Sequence, residues 1–496
     1  MDKKSRDLAN PRNLMKKGLV WLGSASAVMR VIELVSTIII WWFLTKEELG
    51  LAALSWSIGV VLEAFNGLGV GTALVQAPEL TSVQKHSLFW FSVGLAGILV
   101  SAISLGSGYL AAFFGDASLQ PLIVVSIVRF LFLAVALVPM QLLIRDMKFK
   151  ELALTQTIAA LTAAAVKITL AALGFGAWAL VLAYTMEGFV IFVGVYYFSN
   201  YRPGLSFAWK SISGMVVFGF KVAASGILYH VYRNLDYFVL GRFFGTSAVG
   251  VYKVGFDIAM LPAQSVLDVI NRTAFPVYAR IQKNRLRLKE TYLWTTRSLG
   301  LLVSAIPVFL MFSAHDLLTI IADGRWISAV PVVQILCWAA VLRCLAQATP
   351  QLFHAVGKPE LAVYDSAVTF TSLAITFFGA AAVFGESMGF IAIAWAWLLS
   401  YPLIIFILWL FARTQIPLGW WEFIRSLWAP AASTIVLTLL IAGLNRLLNP
   451  LQPLSPWIGL TTRFIVLMTG FLVFIRFVLG IRRSVLFPKV EDEEQR

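Results

Sequence analysis

The sequence predicts an all-α polytopic membrane protein of about fourteen transmembrane helices, and three observations carry that reading. First, the 496 residues are 59% hydrophobic and only 13% charged, with a mean hydropathy of +0.84; a soluble domain carries about 25% charged residues. Second, the polar residues gather in short clusters between apolar runs of roughly 20 residues or more, each long enough to span a bilayer. Third, those runs are continuous rather than alternating, which argues against a β-barrel.

Taken in order, the first span covers 19–44 and follows a basic stretch from Lys3 to Lys17. Only Leu19 to Gly23 precedes the small-residue run Ser24-Ala25-Ser26-Ala27. A cleavable signal needs an apolar core of about 7–15 residues, so this helix is read as permanent. Five spans follow at 49–75, 87–114, 120–144, 152–173 and 177–198. The next six are expected at 214–242, 249–275, 292–313, 327–349, 361–384 and 389–411, and a last pair at 426–448 and 457–480. Cys337 and Cys344 fall seven residues apart on one of these helices. At about 1.5 Å per residue they stand roughly 10 Å apart, too far to form a disulfide.

The basic residues give the orientation. With the N-terminus inside, the cytoplasmic segments hold 24 of the 39 Lys and Arg, and the opposite loops hold two, Lys46 and Arg325. This asymmetry follows the positive-inside rule and puts both termini in the cytoplasm. The net charge of +14 is then charge that orients the chain against anionic lipid, not a sign of nucleic-acid binding.

An internal repeat is visible. Glu47-Glu48-Leu49-Gly50-Leu51 and Ser247-Ala248-Val249-Gly250-Val251 lie 200 residues apart, and Lys150-Glu151-Leu152-Ala153 echoes Pro359-Glu360-Leu361-Ala362. Six spans separate the copies, an even number, so both would enter the membrane from the same side. The expected organisation is an N-lobe (1–210, helices 1–6), a C-lobe (211–415, helices 7–12), and helices 13–14 with a cytoplasmic tail (416–496).

Seven cations lie deep within the apolar runs: Arg30, Arg129, Lys167, Lys221, Arg233, Arg343 and Arg463. A charge at the bilayer centre costs about 3 kcal/mol or more, so such residues face a protein interior or a wet cavity. Together they suggest a cationic cavity that receives an anion, with Arg30, Arg129, Lys167, Arg233 and Arg343 as candidate substrate ligands. Guanidinium suits phosphate because its planar fork bonds in bidentate fashion and stays charged when desolvated. Arg30 and Glu33, and likewise Arg233 and Asp236, have the i,i+3 spacing of a self-neutralising pair. Glu33, Glu63, Asp236 and Asp257 are therefore either counter-ions or coupling carboxylates, and Glu187 and Asp268 are of the same kind. Glu63 either pairs with Arg30 or exchanges a proton as the cleft opens to each side. Arg272, Arg297 and Arg476 near the cytoplasmic edge are read as snorkelling. His86, His230, His315 and His354 show no metal-ligand spacing, and no nucleotide-binding loop is present; no cofactor, metal site or catalytic residue is expected.

Two stretches resemble a known family. One is Arg145-Asp146-Met147-Lys148-Phe149 followed by Glu151-Leu152-Ala153. The other runs from Asn234-Leu235-Asp236-Tyr237 through Leu240-Gly241-Arg242 and Val249-Gly250-Val251-Tyr252 to Leu261-Pro262 and Phe275-Pro276-Val277-Tyr278-Ala279-Arg280. Both are similar to Wzx-type oligosaccharide flippases, colanic-acid-exporter branch, of the MOP superfamily that also contains MATE transporters and MurJ. The resemblance implies two six-helix lobes around a central cavity, two extra C-terminal helices and alternating access. It implies flipping of undecaprenyl-pyrophosphate-linked oligosaccharide units to the periplasmic leaflet of the bacterial inner membrane, for surface polysaccharide biosynthesis. It also admits H+ or Na+ as coupling ion and a polymerase and chain-length regulator as partners. Arg30 corresponds to the helix 1 arginine of related flippases. The alternatives are a MATE-like exporter of small molecules, a non-transporting membrane scaffold, and an enzyme. The cationic interior speaks against the first, since like charges repel a cationic drug. A longest outer loop of about 13 residues, between Ser313 and Ile327, speaks against the last.

The charge asymmetry makes a topological prediction. Reporter tags inserted at Asn284 and on the C-terminal tail will read cytoplasm, and a tag beside Asp323 will read periplasm; a cytoplasmic signal at Asp323 would refute the span count.

Overall fold

The computed structural model describes residues 11–77, 79–448 and 455–478; the two chain ends whose cytoplasmic placement the sequence predicts lie outside them. Among the described residues every regular element is a helix. Twelve segments among the described residues are long and apolar enough to cross a membrane. Two further helices, Trp209–Arg233 and Leu235–Ile281, stand where the seventh and eighth spans are expected. The chain is a multi-pass membrane protein. It divides into two compact units, Met1–Gly250 and Val251–Arg496.

The first unit starts with α1 (Pro11–Phe43) and α2 (Lys46–Glu63). Thr45 caps α2 in a reciprocal box with Glu48, satisfying two otherwise orphaned amides. The second span does not run straight through. After Glu63 it breaks at Gly67, Leu68 and Gly69, all with left-handed backbone (φ 61°, 43° and 73°), and resumes as α3 (Val70–Gln76). Leucine in that region costs about 1–2 kcal/mol, so the break is imposed by its surroundings. A Cβ on Gly69 would stand 2.1 Å from the carbonyl oxygen of Gly219; two glycines thus let two backbones touch at the break.

Next come α4 (Ser82–Phe114), α5 (Leu119–Arg145), α6 (Phe149–Ala172) and α7 (Ala177–Ser199). The centre of the unit is α5, packed against α2, α4 and α7, with Ile123, Ile127 and Phe130 fully enclosed. Outside it, α6 packs on α7 and α1 packs on α6.

The expected seventh helix over 214–242 is instead interrupted. Helix α8 (Trp209–Arg233) ends at Asn234 (φ −113°, ψ 1°), whose side-chain amide donates to the His230 carbonyl at 2.8 Å. Such local bonding competes with helix continuation. The chain resumes as α9 (Leu235–Ile281), sharply turned at Gly245 (φ 79°, ψ 176°), a conformation open to glycine alone.

The repeated glycines of the sequence meet in space. A Cβ on Gly50 would lie 1.8 Å from the Thr246 carbonyl oxygen, and one on Gly250 would lie 1.9 Å from the Lys46 carbonyl oxygen. The contact is reciprocal: 46 and 50 of one copy face 250 and 246 of the other. Helices α2 and α9 therefore cross backbone on backbone, which any side chain would prevent.

In the second unit, α10 (Arg285–Ile320) packs on α11 (Val330–Ala346), and α11 on α14 (Ile391–Ala412). A short α12 (Thr349–Ala355) leads to α13 (Pro359–Met388), which lies on α14. The terminal helices α15 (Trp420–Leu448) and α16 (Pro456–Val473) both pack on α10. Here α11 is the most enclosed span, with Val332, Val333 and Leu336 fully buried.

Gly50→Val will reduce the yield of folded protein sharply, whereas Gly97→Val, where nothing lies within 4 Å of the new carbon, will leave it near wild type. Size-exclusion profiles of the two purified variants check this; equal profiles would show that the crossing tolerates a side chain.

Candidate functional site

The most elaborate charged cluster in the structure is built by three spans of the first unit. Arg129 lies ten residues into α5, about 15 Å along its axis, and is buried. Hydroxyl ties hold its helix in place: Ser55 Oγ donates to the Leu122 carbonyl at 2.8 Å, and Ser126 Oγ returns to the Ser55 carbonyl at 3.2 Å. Thr185 Oγ1 on α7 donates to the Val125 carbonyl at 3.0 Å. Gly188 on α7 clears the path of the arginine stem, since a Cβ there would meet Arg129 Cγ at 2.7 Å.

The guanidinium is then held by three hydrogen bonds and a ring face. Its Nε donates to Glu63 Oε1 at 2.8 Å; its Nη1 donates to Glu187 Oε2 at 2.7 Å and to the Tyr184 carbonyl at 2.7 Å. The Tyr184 ring lies under it, 4.2 Å from Cζ to the centroid, where the ring quadrupole attracts a cation. The Tyr184 hydroxyl donates to Glu63 Oε1 at 2.5 Å. Tyr184 and Glu187 reach one spot because i and i+3 share a helix face. Glu63 arrives there as the last residue of α2, immediately before the break in its span.

One guanidinium thus faces two carboxylates. With both ionised, the cluster carries one negative charge in excess. The side chains of Glu63 and Glu187 are 24% and 32% exposed, against 11% for Arg129, so the acidic side of the cluster is the accessible side.

The other predicted residues fall into separate places. Glu63 bonds Arg129 rather than Arg30. Arg30 pairs with Glu33 at 3.4 Å on α1. Lys167 is half-buried on α6. Arg233 and Asp236 sit on either side of the Asn234 break: Arg233 Nη1 donates to Tyr229 Oη at 2.9 Å, and Asp236, fully buried, accepts from the Tyr237 amide at 2.9 Å. Asp257 is held by Lys253, one turn earlier, at 2.8 Å. Arg343 is buried on α11 beside Met260 Sδ at 3.8 Å and over the Trp397 ring at 5.6 Å. Arg463 on α16 bonds Asp316 of α10 and, at 2.8 Å, Asn445 Oδ1 of α15, tying the terminal pair to its unit. The side chains of Lys221, Asp268 and Arg272 lie outside the described residues.

Sequence reasoning passed over Tyr184, Lys253 and Asp365. The last is a buried carboxylate on α13 held by the Thr369 hydroxyl one turn on. Tyr184 and Glu187 share an i,i+3 spacing that could have drawn attention, but an isolated tyrosine in a span carries no charge signal.

Three comparisons place the chain among known proteins. Residues 39–331 match the family model described as polysaccharide biosynthesis protein. The chain is 24% identical over 423 residues to the lipopolysaccharide biosynthesis protein WzxC of Escherichia coli (strain K12), covering 83% of this chain and 84% of that one. Its fold is similar to that of the lipid II flippase MurJ in an inward closed conformation, with a TM-score of 0.76 at 13% identity, over 93% of this chain and 100% of that one. A similar fold, at a TM-score of 0.60 and 17% identity, is found in an inward-facing multidrug resistance MATE family transporter of the MOP superfamily, over 78% of this chain and 94% of that one.

Removing one partner of a buried ion cluster costs about 3–5 kcal/mol, whereas replacing the whole cluster by neutral groups is close to neutral. Arg129→Gln will therefore lower the melting temperature of the detergent-solubilised protein by several degrees, and adding Glu63→Gln and Glu187→Gln will recover most of the loss. A single variant that melts with the wild type would show that the cluster does not hold the three spans.

Proposed function

The chain is a member of the polysaccharide biosynthesis protein family, and from that premise we propose that it translocates a lipid-linked polysaccharide precursor across the bacterial inner membrane. The substrate we propose is an undecaprenyl-pyrophosphate-linked oligosaccharide unit, moved from the cytoplasmic to the periplasmic leaflet by alternating access. Two six-helix lobes, 1–210 and 211–415, would provide the moving parts, with both termini cytoplasmic. The lipid II flippase shares the fold, and WzxC, by its name, serves lipopolysaccharide biosynthesis.

One observation carries the reading. Arg30 and Glu33 lie within the first span with their side chains 39% and 52% exposed, on a helix that is otherwise apolar enough to cross the membrane. Turned to lipid, the two charges would cost several kcal/mol. Turned to a wet cavity they cost little, and a guanidinium there is placed where a phosphate could meet it. Ser26 and Thr37 extend the same polar stripe. Arg129 is different in kind, because two carboxylates already satisfy it. We assign Arg129 the role of holding Glu63 and Glu187, and give those carboxylates the task of exchanging H+ or Na+ as transport proceeds. The break in the second span beside Glu63 supports this, since interrupted membrane helices expose backbone carbonyls where ions bind.

Arg30→Ala will abolish export of the surface polymer while the protein remains in the membrane at wild-type abundance. Arg30→Lys will restore only part, because an ammonium lacks the planar fork. Polymer at wild-type level in cells carrying Arg30→Ala would remove this arginine from the substrate path, and loss of the protein itself would assign the Arg30–Glu33 pair to folding.

A further inference from the structure

On the face of the first unit where α5 and α7 end and α4 begins, the structure holds a cleft of about 330 Å³. Lys85, Arg145, Ser199 and the Tyr201 side chain line it, with Leu80 and Leu142 as its apolar wall. None of these belongs to the Arg129 cluster or to the Arg30 stripe, and the transport reading makes no use of them.

The walls are firmly built. Arg145 Nη1 donates to the carbonyls of Leu74 and Ala77, at 3.0 and 2.6 Å, closing the end of α3 against α5. The segment 200–208 is fastened to the start of α4 by several bonds. His86 Nδ1 accepts from the Gly204 amide at 2.9 Å, and the Trp90 indole donates to the Gly204 carbonyl at 2.8 Å. Ser87 Oγ accepts from the Ala208 amide at 2.8 Å, and the Tyr201 hydroxyl donates to the Lys85 carbonyl at 3.3 Å. Burial pushes the Tyr201 phenol well above its ordinary value, so it stays neutral and the cleft keeps its positive balance. Asp146 also lines the cleft without forming an ion pair with Lys85 among the described residues.

We propose that this cleft is a binding site for a phosphate group presented at the membrane surface. Lys85 and the Ser199 hydroxyl line the cleft beside Arg145, whose Nη1 is engaged by two carbonyls, in a volume that suits one phosphate with its ester linkage. The two leucines offer the apolar contact that the glycerol or prenyl end of a lipid needs. Charge-assisted hydrogen bonds from a lysine and an arginine are the usual means of holding such a group, and basic pockets between transmembrane helices recognise lipid head groups in this way. The proposal does not depend on the transport reading.

The test uses the full-length protein with two probes, phosphatidylglycerol in phosphatidylcholine nanodiscs and inorganic pyrophosphate in solution. Native mass spectrometry reads the first, and calorimetric titration the second. The wild type will retain phosphatidylglycerol over phosphatidylcholine, and Lys85→Gln will weaken that retention about tenfold, the loss expected for one charged hydrogen bond. Lys85→Arg will keep it, as will Lys210→Gln, which removes an exposed lysine nearby in sequence to the 200–208 segment. If only pyrophosphate binds, and Lys85→Gln loses it, the site stands and its natural source is a pyrophosphate rather than a phospholipid headgroup. Failure of the wild type to prefer either probe, or equal binding by wild type and Lys85→Gln, overturns the proposal. Should Lys85→Gln misfold, competition decides on the wild type alone: pyrophosphate that displaces bound phosphatidylglycerol supports a shared site, and absence of displacement overturns it.

Discussion

A guanidinium cannot be left alone in hydrocarbon, and the packing of the first unit follows from how Arg129 is neutralised. Its two carboxylates and its ring come from α2 and α7, on either side of the helix that carries it. Three spans are thereby fixed in register, because a shift of one residue on either flanking helix would move a carboxylate by about 100° around its axis. The serine and threonine ties and the missing side chain at Gly188 serve the same register. An apolar interface of this size would tolerate sliding; an arginine with four directional contacts does not.

The second unit handles charge in another way. Its cations are dispersed: Lys253 with Asp257, Lys289 with Glu422, Arg463 with Asp316 and Asn445. Arg343 is set among a thioether and an indole. These contacts mostly join neighbouring turns or helix pairs. At the crossing of α2 and α9, Gly50 and Gly250, which stand 200 residues apart in the two similar stretches, each admit the backbone of the other helix.

The helical class and the membrane setting were legible because hydrophobic runs report them directly, whereas the interruptions of the second and seventh expected spans were not. Family membership was legible through the strings around Arg145 and Asp236. What escaped the sequence was partner choice. Spacing on one helix suggested Arg30–Glu33, and that pair forms; the same spacing suggested Arg233–Asp236, yet the Asn234 break separates them. Contacts between helices leave no such trace: nothing in the order of residues says that Glu63 belongs with Arg129, 66 positions away, or that Tyr184 completes the set. The break at Gly67 to Gly69 was also hidden, because its residues are as apolar or as small as those of an intact span.

The wide separation of these partners along the chain matters for how the protein is made. Glu63 leaves the ribosome 66 residues before Arg129, and Glu187 follows 58 residues after it. At about 5–20 residues per second, many seconds pass between the first carboxylate and the last. Throughout that interval the second span carries its acid without the guanidinium, and Arg129 then lacks its second carboxylate until α7 is made. The cluster is therefore complete only once the seventh helix has been made, and the register it sets is fixed late in the synthesis of the first unit.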